Sequence, residues 1–217
     1  SKRRICIEMS FLISFEGIDG CGKTTQIELL ADKLRSKNMN CIVLREPGDT
    51  SISNKIREIL LDNSNEICPE SETLLFLSAR SQLVREKIIP NIKKGNIVIC
   101  DRYLDSTLAY QGYGRGLDKN MINNLNLFAT NKMLPTLTFI LDINPKIAYD
   151  RIVKKDIDRM ESEGIDFLSN ISNGYKIIAK SNPERCRMIM CKDKGKHVIH
   201  EEILNIINDY IEKEECL

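Results

Sequence analysis

Eight consecutive residues, Gly17-Ile18-Asp19-Gly20-Cys21-Gly22-Lys23-Thr24, fit G-x-x-x-x-G-K-[ST] at every defined position. The glycines allow backbone N–H groups to curl around phosphate oxygens, and the N-terminus of a following helix adds partial positive charge. Lys23 would reach the terminal phosphates and the Thr24 hydroxyl would hold Mg²⁺, so residues Gly17 to Thr25 form a candidate nucleotide cradle. A second chemical signal is Ile97-Val98-Ile99-Cys100-Asp101-Arg102-Tyr103, an apolar run ending in an acid and an arginine. Asp101 there suits a Mg²⁺ or water shell, and Arg102 suits bidentate contact with a second phosphate. A third is the polar stretch 151–165, where Arg151, Lys154, Lys155, Asp156, Asp158, Arg159, Glu161 and Glu163 precede Gly164. Taken alone, that stretch reads as a solvated helix end.

Such residues need a scaffold that brings strand ends together. Short apolar runs alternate with longer amphipathic segments, the pattern of an α/β parallel sheet flanked by helices. Strands are predicted at Phe11–Phe15, Cys41–Leu44, Ile97–Cys100, Thr136–Leu141 and Arg187–Met190. Helical stripes are Ile27, Leu30, Ala31 and Leu34 within 25–36, Leu74, Leu77, Leu83, Val84 and Ile88 within 70–89, and Ile203, Ile206, Ile207, Tyr210 and Ile211 near the end. Pro90, Gly95 and Pro135 punctuate the joins. No Pro/Ser-rich linker or repeat divides the chain. The reading is one domain over 10–217, with 1–9 an N-terminal extension, either natural or left from expression, and Met9 a candidate start.

With 217 residues, 42% hydrophobic, the chain can bury a sizeable core. Thirty-two basic against 31 acidic residues give a net charge of +1, which argues against bulk attraction to nucleic acid or an anionic membrane. No apolar run reaches bilayer length, and Glu8 breaks the short stretch after Lys2-Arg3-Arg4, so neither a membrane span nor an export signal is expected. Cysteines at 6, 21, 41, 68, 100, 186, 191 and 216 form no Cys-x-x-Cys pair, and His197 and His200 are the sole histidines. Reduced thiols in a cytoplasmic protein are therefore expected, rather than disulfides or zinc.

Taken in order, the motifs resemble those of the bacterial-type thymidylate kinases, within the P-loop nucleoside monophosphate kinases. Phe15-Glu16-Gly17-Ile18-Asp19-Gly20 leads into the cradle. Arg45-Glu46-Pro47-Gly48, Asp101-Arg102-Tyr103 and Ser106-Thr107-Leu108-Ala109-Tyr110-Gln111-Gly112 follow, then Asp158-Arg159-Met160-Glu161 and Asn182-Pro183-Glu184-Arg185. The resemblance spans roughly residues 10–211. It implies a three-layer P-loop kinase fold with a five-stranded parallel sheet and a short lid at about 151–165. It further implies transfer of the ATP γ-phosphoryl to dTMP, giving dTDP, with Mg²⁺ and as a homodimer. By the same resemblance Phe76 would stack on thymine, Arg80, Thr107 and Gln111 would meet its polar edge, and Tyr110 would crowd the sugar 2′ position. Tyr175 would close over the nucleotide, Asp19 would lie beside the acceptor, and Glu46 would shape the acceptor turn, which often carries a cis proline.

Family members without an arginine inside the cradle use lid arginines instead. This chain has Gly20 there, so Arg159 becomes the leading lid donor, and Lys23, Arg102 and Arg159 the expected catalytic cations. The acceptor phosphate is already ionised at neutral pH, so the reaction needs positioning and charge neutralisation rather than a general base. Two departures stand out. Asp49 places a negative charge where the family commonly has glycine, and Cys21 replaces a small residue such as alanine. A related nucleoside or nucleotide kinase, or a regulator that binds without turnover, are the competing readings. A nucleic-acid-binding module fits least, for want of positive charge and aromatic-basic repeats.

Overall fold

The computed structural model describes residues 11–154 and 158–215, which leaves residues 1–10, 155–157 and 216–217, and with them Lys155, Asp156 and Cys216, outside the described residues. Its sheet has five strands, β1 (Leu12–Glu16), β2 (Cys41–Arg45), β3 (Ile97–Asp101), β4 (Leu137–Asp142) and β5 (Cys186–Met190), in the order β2-β3-β1-β4-β5. Every pairing is parallel. Strands covered on both faces are mostly apolar, as β1, β3 and β4 are, and the buried Ser14 and Thr138 hydroxyls that interrupt β1 and β4 satisfy each other at 2.8 Å. Successive side chains then serve opposite faces: Ile13 and Phe15 join one buried cluster with α1 (Lys23–Ser36), while Leu12, Val98 and Cys100 join another. Phe15 packs on Phe139 with ring centroids 5.3 Å apart.

Register matters more to function than the fold's outline. Phe15 pairs with Asp101, and Asp101 pairs with Arg45, so β1, β3 and β2 end side by side. The cradle, the Asp-Arg pair and the Arg-Glu-Pro turn therefore share one edge of the sheet, where ligands bind in open α/β folds.

The helices depart from expectation in three ways. The segment predicted as 70–89 runs as α3 (Pro69–Leu83), a wide π turn (Val84–Ile88) and α4 (Ile89–Lys93). Pro90 does not end it; the helix continues past it through the π turn, where the Ile89 N–H reaches back to the Val84 carbonyl. Leu74, expected on the core face, is 58% exposed, whereas Leu77 and Leu83 are buried. The inward face of α3 instead carries Glu72, Thr73, Ala79 and Arg80, all buried. An apolar stripe cannot mark a helix face that looks onto a polar site. Helices that the periodicity left unassigned are α2 (Ser51–Leu61), α5 (Leu104–Thr107) with a π turn (Leu108–Gly114), α6 (Lys119–Ala129), α7 (Pro145–Ile152) and α8 (Ile165–Ser181). The final helix, α9 (Lys196–Glu215), agrees with the predicted stripe. The charged stretch 151–165 joins α7 to α8 and includes a short 3₁₀ turn at Glu161–Glu163. No helix of the described residues is long and apolar enough to cross a membrane.

Candidate active site

A cavity of about 430 Å³ opens over the strand ends and is lined from the cradle, β2, α2, α3, β3, α5, the following π turn and the lid. Its wall includes six cationic side chains: Lys23, Arg45, Arg57, Arg80, Arg102 and Arg151. Five acidic side chains, Asp19, Glu46, Asp101, Asp158 and Glu161, line it as well, so the cavity concentrates charge of both signs.

At the cradle, positive φ values at Gly17, Gly20 and Gly22 shape the turn. Gly20 has a second constraint, because a Cβ there would lie 2.9 Å from the Ala148 carbonyl oxygen on α7. Any side chain at this position would require the α7 backbone to shift. Lys23 is buried and donates from Nζ to the carbonyls of Gly17 at 3.0 Å and Ile18 at 3.2 Å. Cys21 is buried, its Sγ 3.7 Å from the same ammonium. The six described cysteines are all free.

Arg102 holds a left-handed backbone conformation, φ 72°, immediately after β3. Its guanidinium donates to the Gly17 carbonyl, Ser106 Oγ, Tyr175 Oη, Tyr110 Oη and Asp19 Oδ1. Asp19 also accepts from the Tyr110 hydroxyl at 2.9 Å. Burial works to raise the Asp19 pKa, but the charges of Arg102 and Lys23 with the Tyr110 bond outweigh it and hold the carboxyl well below the usual range. An arriving phosphate would therefore compete with an ionised Asp19 for Arg102.

Behind this pair lies Glu16, fully buried at the end of β1. It accepts from the Tyr103 backbone N–H at 2.7 Å and from the hydroxyls of Ser106 and Tyr175. Burial, reinforced by the nearby Asp105 carboxylate, pushes its pKa up to about 7. Asp105 is itself paired with Arg185 through two bonds of 2.6 and 2.8 Å.

One wall of the cavity draws on α3. Phe76 and Arg80 sit four residues apart on the helix and both line the cavity, as do Thr107 at the end of α5 and Tyr110 and Gln111 from the π turn. Arg80 is more heavily committed than expected. It donates to Glu46 Oε2 at 2.7 Å, Thr107 Oγ1, Asn126 Oδ1 and the Tyr103 carbonyl, which engages most of its donors. Burial raises the Glu46 pKa against the pull of Arg80. The Glu46–Pro47 peptide is cis. Asp49 does not line the cavity; its Oδ2 accepts from the Arg45 backbone N–H. Tyr175, expected over the nucleotide, instead points its hydroxyl at Glu16 and Arg102 from beneath and does not line the cavity.

Arg159 is the main displacement from the sequence reading. It does not line the cavity. Its Nε donates to the Leu60 carbonyl at 2.8 Å and its Nη2 lies 2.7 Å from the buried Glu72 carboxylate. Charge density along a sequence does not say which carboxylate captures each arginine. The cation from this segment that reaches the cradle is Arg151, whose Nη1 donates to the Gly20 carbonyl at 2.8 Å. Lys155 lies outside the described residues.

Hard oxygen donors are present for a divalent cation. Thr24 is exposed at the start of α1, Asp101 lines the same cavity, and Glu46 Oε1 is buried without a hydrogen-bond partner. A small set of hydroxyl and carboxylate oxygens beside a phosphate cradle suits Mg²⁺, which takes few protein ligands and completes its shell with phosphate and water. Among the described residues no cluster of three or more His, Cys, Asp and Glu is positioned to hold a metal by itself.

The family model described as "Thymidylate kinase" matches residues 15–203. The chain belongs to the thymidylate kinase family. A thymidylate kinase of Thermoanaerobacter sp. strain X514 is 45% identical over 199 residues, covering 92% of this chain and 98% of that protein. That of Caldanaerobacter subterraneus subsp. tengcongensis is 44% identical over 201 residues, with 92% and 95% covered. The crystal structure of thymidylate kinase from Ehrlichia chaffeensis superimposes with a TM-score of 0.76 at 34% identity, over 92% of this chain and 99% of that one. The sequence did not single out Arg57, Glu72 or Arg115, and it placed Glu16 and Ser106 in motifs without a role. Arg57 lies on a helix that the periodicity did not reveal, and its Nη1 donates to the cis-proline turn at the Pro47 carbonyl. Glu72 carried a signal, since it stands four residues before Phe76 and eight before Arg80 on one ridge of α3.

Proposed function

We propose that this chain transfers the γ-phosphoryl of ATP to dTMP, giving ADP and dTDP. The observation that carries the reading is that the phosphate cradle and Arg102 line one cavity together with Phe76, Thr107, Tyr110 and Gln111, Tyr110 bonding both Arg102 and Asp19. Gly17 to Thr25 bind the ATP phosphates, with Lys23 turning from its backbone partners to the terminal phosphate. Arg102 takes the acceptor phosphate and Asp19 gives it up. Arg151 supplies the remaining cation, from α7 across the cradle. Phe76 stacks on the base, Gln111 and Thr107 read its edge, and Tyr110 presses on the sugar.

Mg²⁺ is the cation of this reading, held through Thr24 and Asp101, and when bound it neutralises charge on the phosphate oxygens. Catalysis is otherwise positioning and electrostatic stabilisation, with water excluded as the 151–165 segment folds over the site. The reading takes a homodimer as the assembly, because Ile52, Ile59, Leu74 and Phe128 are exposed apolar side chains on α2, α3 and α6, helices that pack in series. It takes the cytoplasm as the compartment, in keeping with free cysteines.

The test is ADP release with ATP and Mg²⁺ against dTMP, dUMP, dCMP, thymidine and dGMP. Turnover fastest with dTMP is expected. A preference for thymidine, which lacks the 5′-phosphate that Arg102 would hold, overturns the reading. Tight dTMP binding without ADP release would favour a non-catalytic regulator.

A further inference from the structure

Glu72 is buried on α3 and does not line the cavity, yet it gathers three groups that do different work. Its Oε1 accepts from Gln111 Nε2 at 2.9 Å and from Arg115 Nε at 3.1 Å, and its Oε2 accepts from Arg115 Nη2 at 3.0 Å. Arg159, from the 151–165 segment, closes on the same Oε2 at 2.7 Å, and Arg115 is in turn paired with Glu163 at 2.6 Å. Burial by itself would favour a neutral carboxyl. The bonds from Arg115, Gln111 and Arg159 prevail and hold its pKa below the usual range.

An ionised carboxylate has lone pairs only and can accept but never donate. A carboxamide is ambivalent, with a donor end and an acceptor end of nearly the same shape. Against Glu72, Gln111 can present only its NH₂ end. Among the described residues no donor meets Gln111 Oε1, so the carbonyl is the end left for the cavity that Gln111 lines.

We propose that Glu72 is a specificity-determining positioning residue: held between Arg115 and Arg159, it fixes the Gln111 amide with its carbonyl toward the acceptor base, so that the site reads a hydrogen-bond donor on the pyrimidine edge. Thymine and uracil carry such a donor at N3. Cytosine has a bare acceptor there, which would face the Gln111 oxygen with no proton between them. The inference rests on the proposed reading of Gln111 at the base edge. It also ties base reading to the 151–165 segment, since Arg159 helps to keep Glu72 charged.

The test compares kcat/KM for dTMP, dUMP and dCMP in the wild-type protein, E72Q and Q111L, with competitive inhibition constants standing in where dCMP turnover is too slow. In E72Q the residue at 72 can donate or accept, so either orientation of Gln111 is allowed. The dTMP-to-dCMP preference is expected to fall at least tenfold in E72Q, with the dTMP-to-dUMP ratio unchanged. A merely structural defect would lower all three substrates alike. An unchanged dTMP-to-dCMP ratio in folded E72Q, with Q111L collapsing it, overturns the role of Glu72. An unchanged ratio in Q111L instead overturns the reading of Gln111, and the proposal with it. If E72Q does not fold, E72D withdraws the carboxylate by one methylene while keeping its charge; the ratio is expected to fall there as well, and an unchanged ratio overturns the proposal.

Discussion

Replacing Glu16 by glutamine should change how the stability of the protein depends on pH. Glu16 is fully buried, and burial with the Asp105 charge raises its pKa from the ordinary 4.5 to about 7. Between those values the folded protein keeps a proton on Glu16 that the unfolded chain has released. The unfolded state then binds fewer protons, so the stability of the wild type falls as pH rises through this window and levels off above about 7. At about 1.4 kcal/mol per pH unit, the span from 4.5 to about 7 corresponds to about 3 kcal/mol. For a chain of 217 residues this is a Tm difference of about 6 to 12 °C.

Arg102, Ser106, Tyr103, Tyr175 and the Asp105–Arg185 pair surround Glu16, and the buried thiols of Cys100 and Cys186 lie within its field. Because these groups remain in E16Q, the difference between variant and wild type isolates the Glu16 titration. The assay is thermal unfolding of both proteins at intervals from pH 5 to 8. The Tm of E16Q minus that of the wild type should rise with pH up to about 7 and then level off, whatever constant offset the altered hydrogen bonds introduce. Parallel curves, or a difference that shrinks with rising pH, would refute the reasoning.

Arg151→Ala should lower kcat by about 10² to 10³ with little change in Tm, since Arg151 is exposed and reaches the cradle. Arg159→Ala should lower Tm by several degrees, because it strips a partner from buried Glu72, and should reduce kcat less than Arg151→Ala does. The reverse ranking of kcat would restore Arg159 as the lid donor expected from its place in the sequence. Gly20→Ala should destabilise by about 1–3 kcal/mol in urea unfolding, given φ 75° and the 2.9 Å approach to the Ala148 carbonyl. Chelation by EDTA should abolish phosphoryl transfer, and added Mg²⁺ should restore it; activity persisting in EDTA would contradict the assignment of Thr24 and Asp101.

The strands and the cradle were legible because the signals there are local. A strand buried on both faces is mostly apolar along its length, so β1, β3 and β4 could be placed to within a residue or so despite buried Ser14, Glu16 and Thr138. The phosphate loop is contiguous, and its glycines, lysine and threonine each follow from phosphate geometry. The helices were harder wherever their inward faces serve the site. On α3 the residues turned inward are Glu72, Thr73 and Arg80, so apolar periodicity misplaced Leu74 on the inside. The helices α2 and α6 pack partly through polar contacts and leave apolar side chains exposed, which blurs the same signal.

By itself the sequence determined the sheet, the phosphate cradle, the order of the motifs and, through their resemblance, the family. Which charges meet was decided only by tertiary structure. Parallel register sets Asp101 beside Phe15 and Arg45, three segments far apart in the chain. Arg159 pairs with buried Glu72 and stays off the cavity lining, while Arg151 reaches the Gly20 carbonyl. The physical reason is that a buried carboxylate claims whichever cation the fold brings within reach. Side-chain type records that a group is charged, and only the packed chain records where that charge is satisfied.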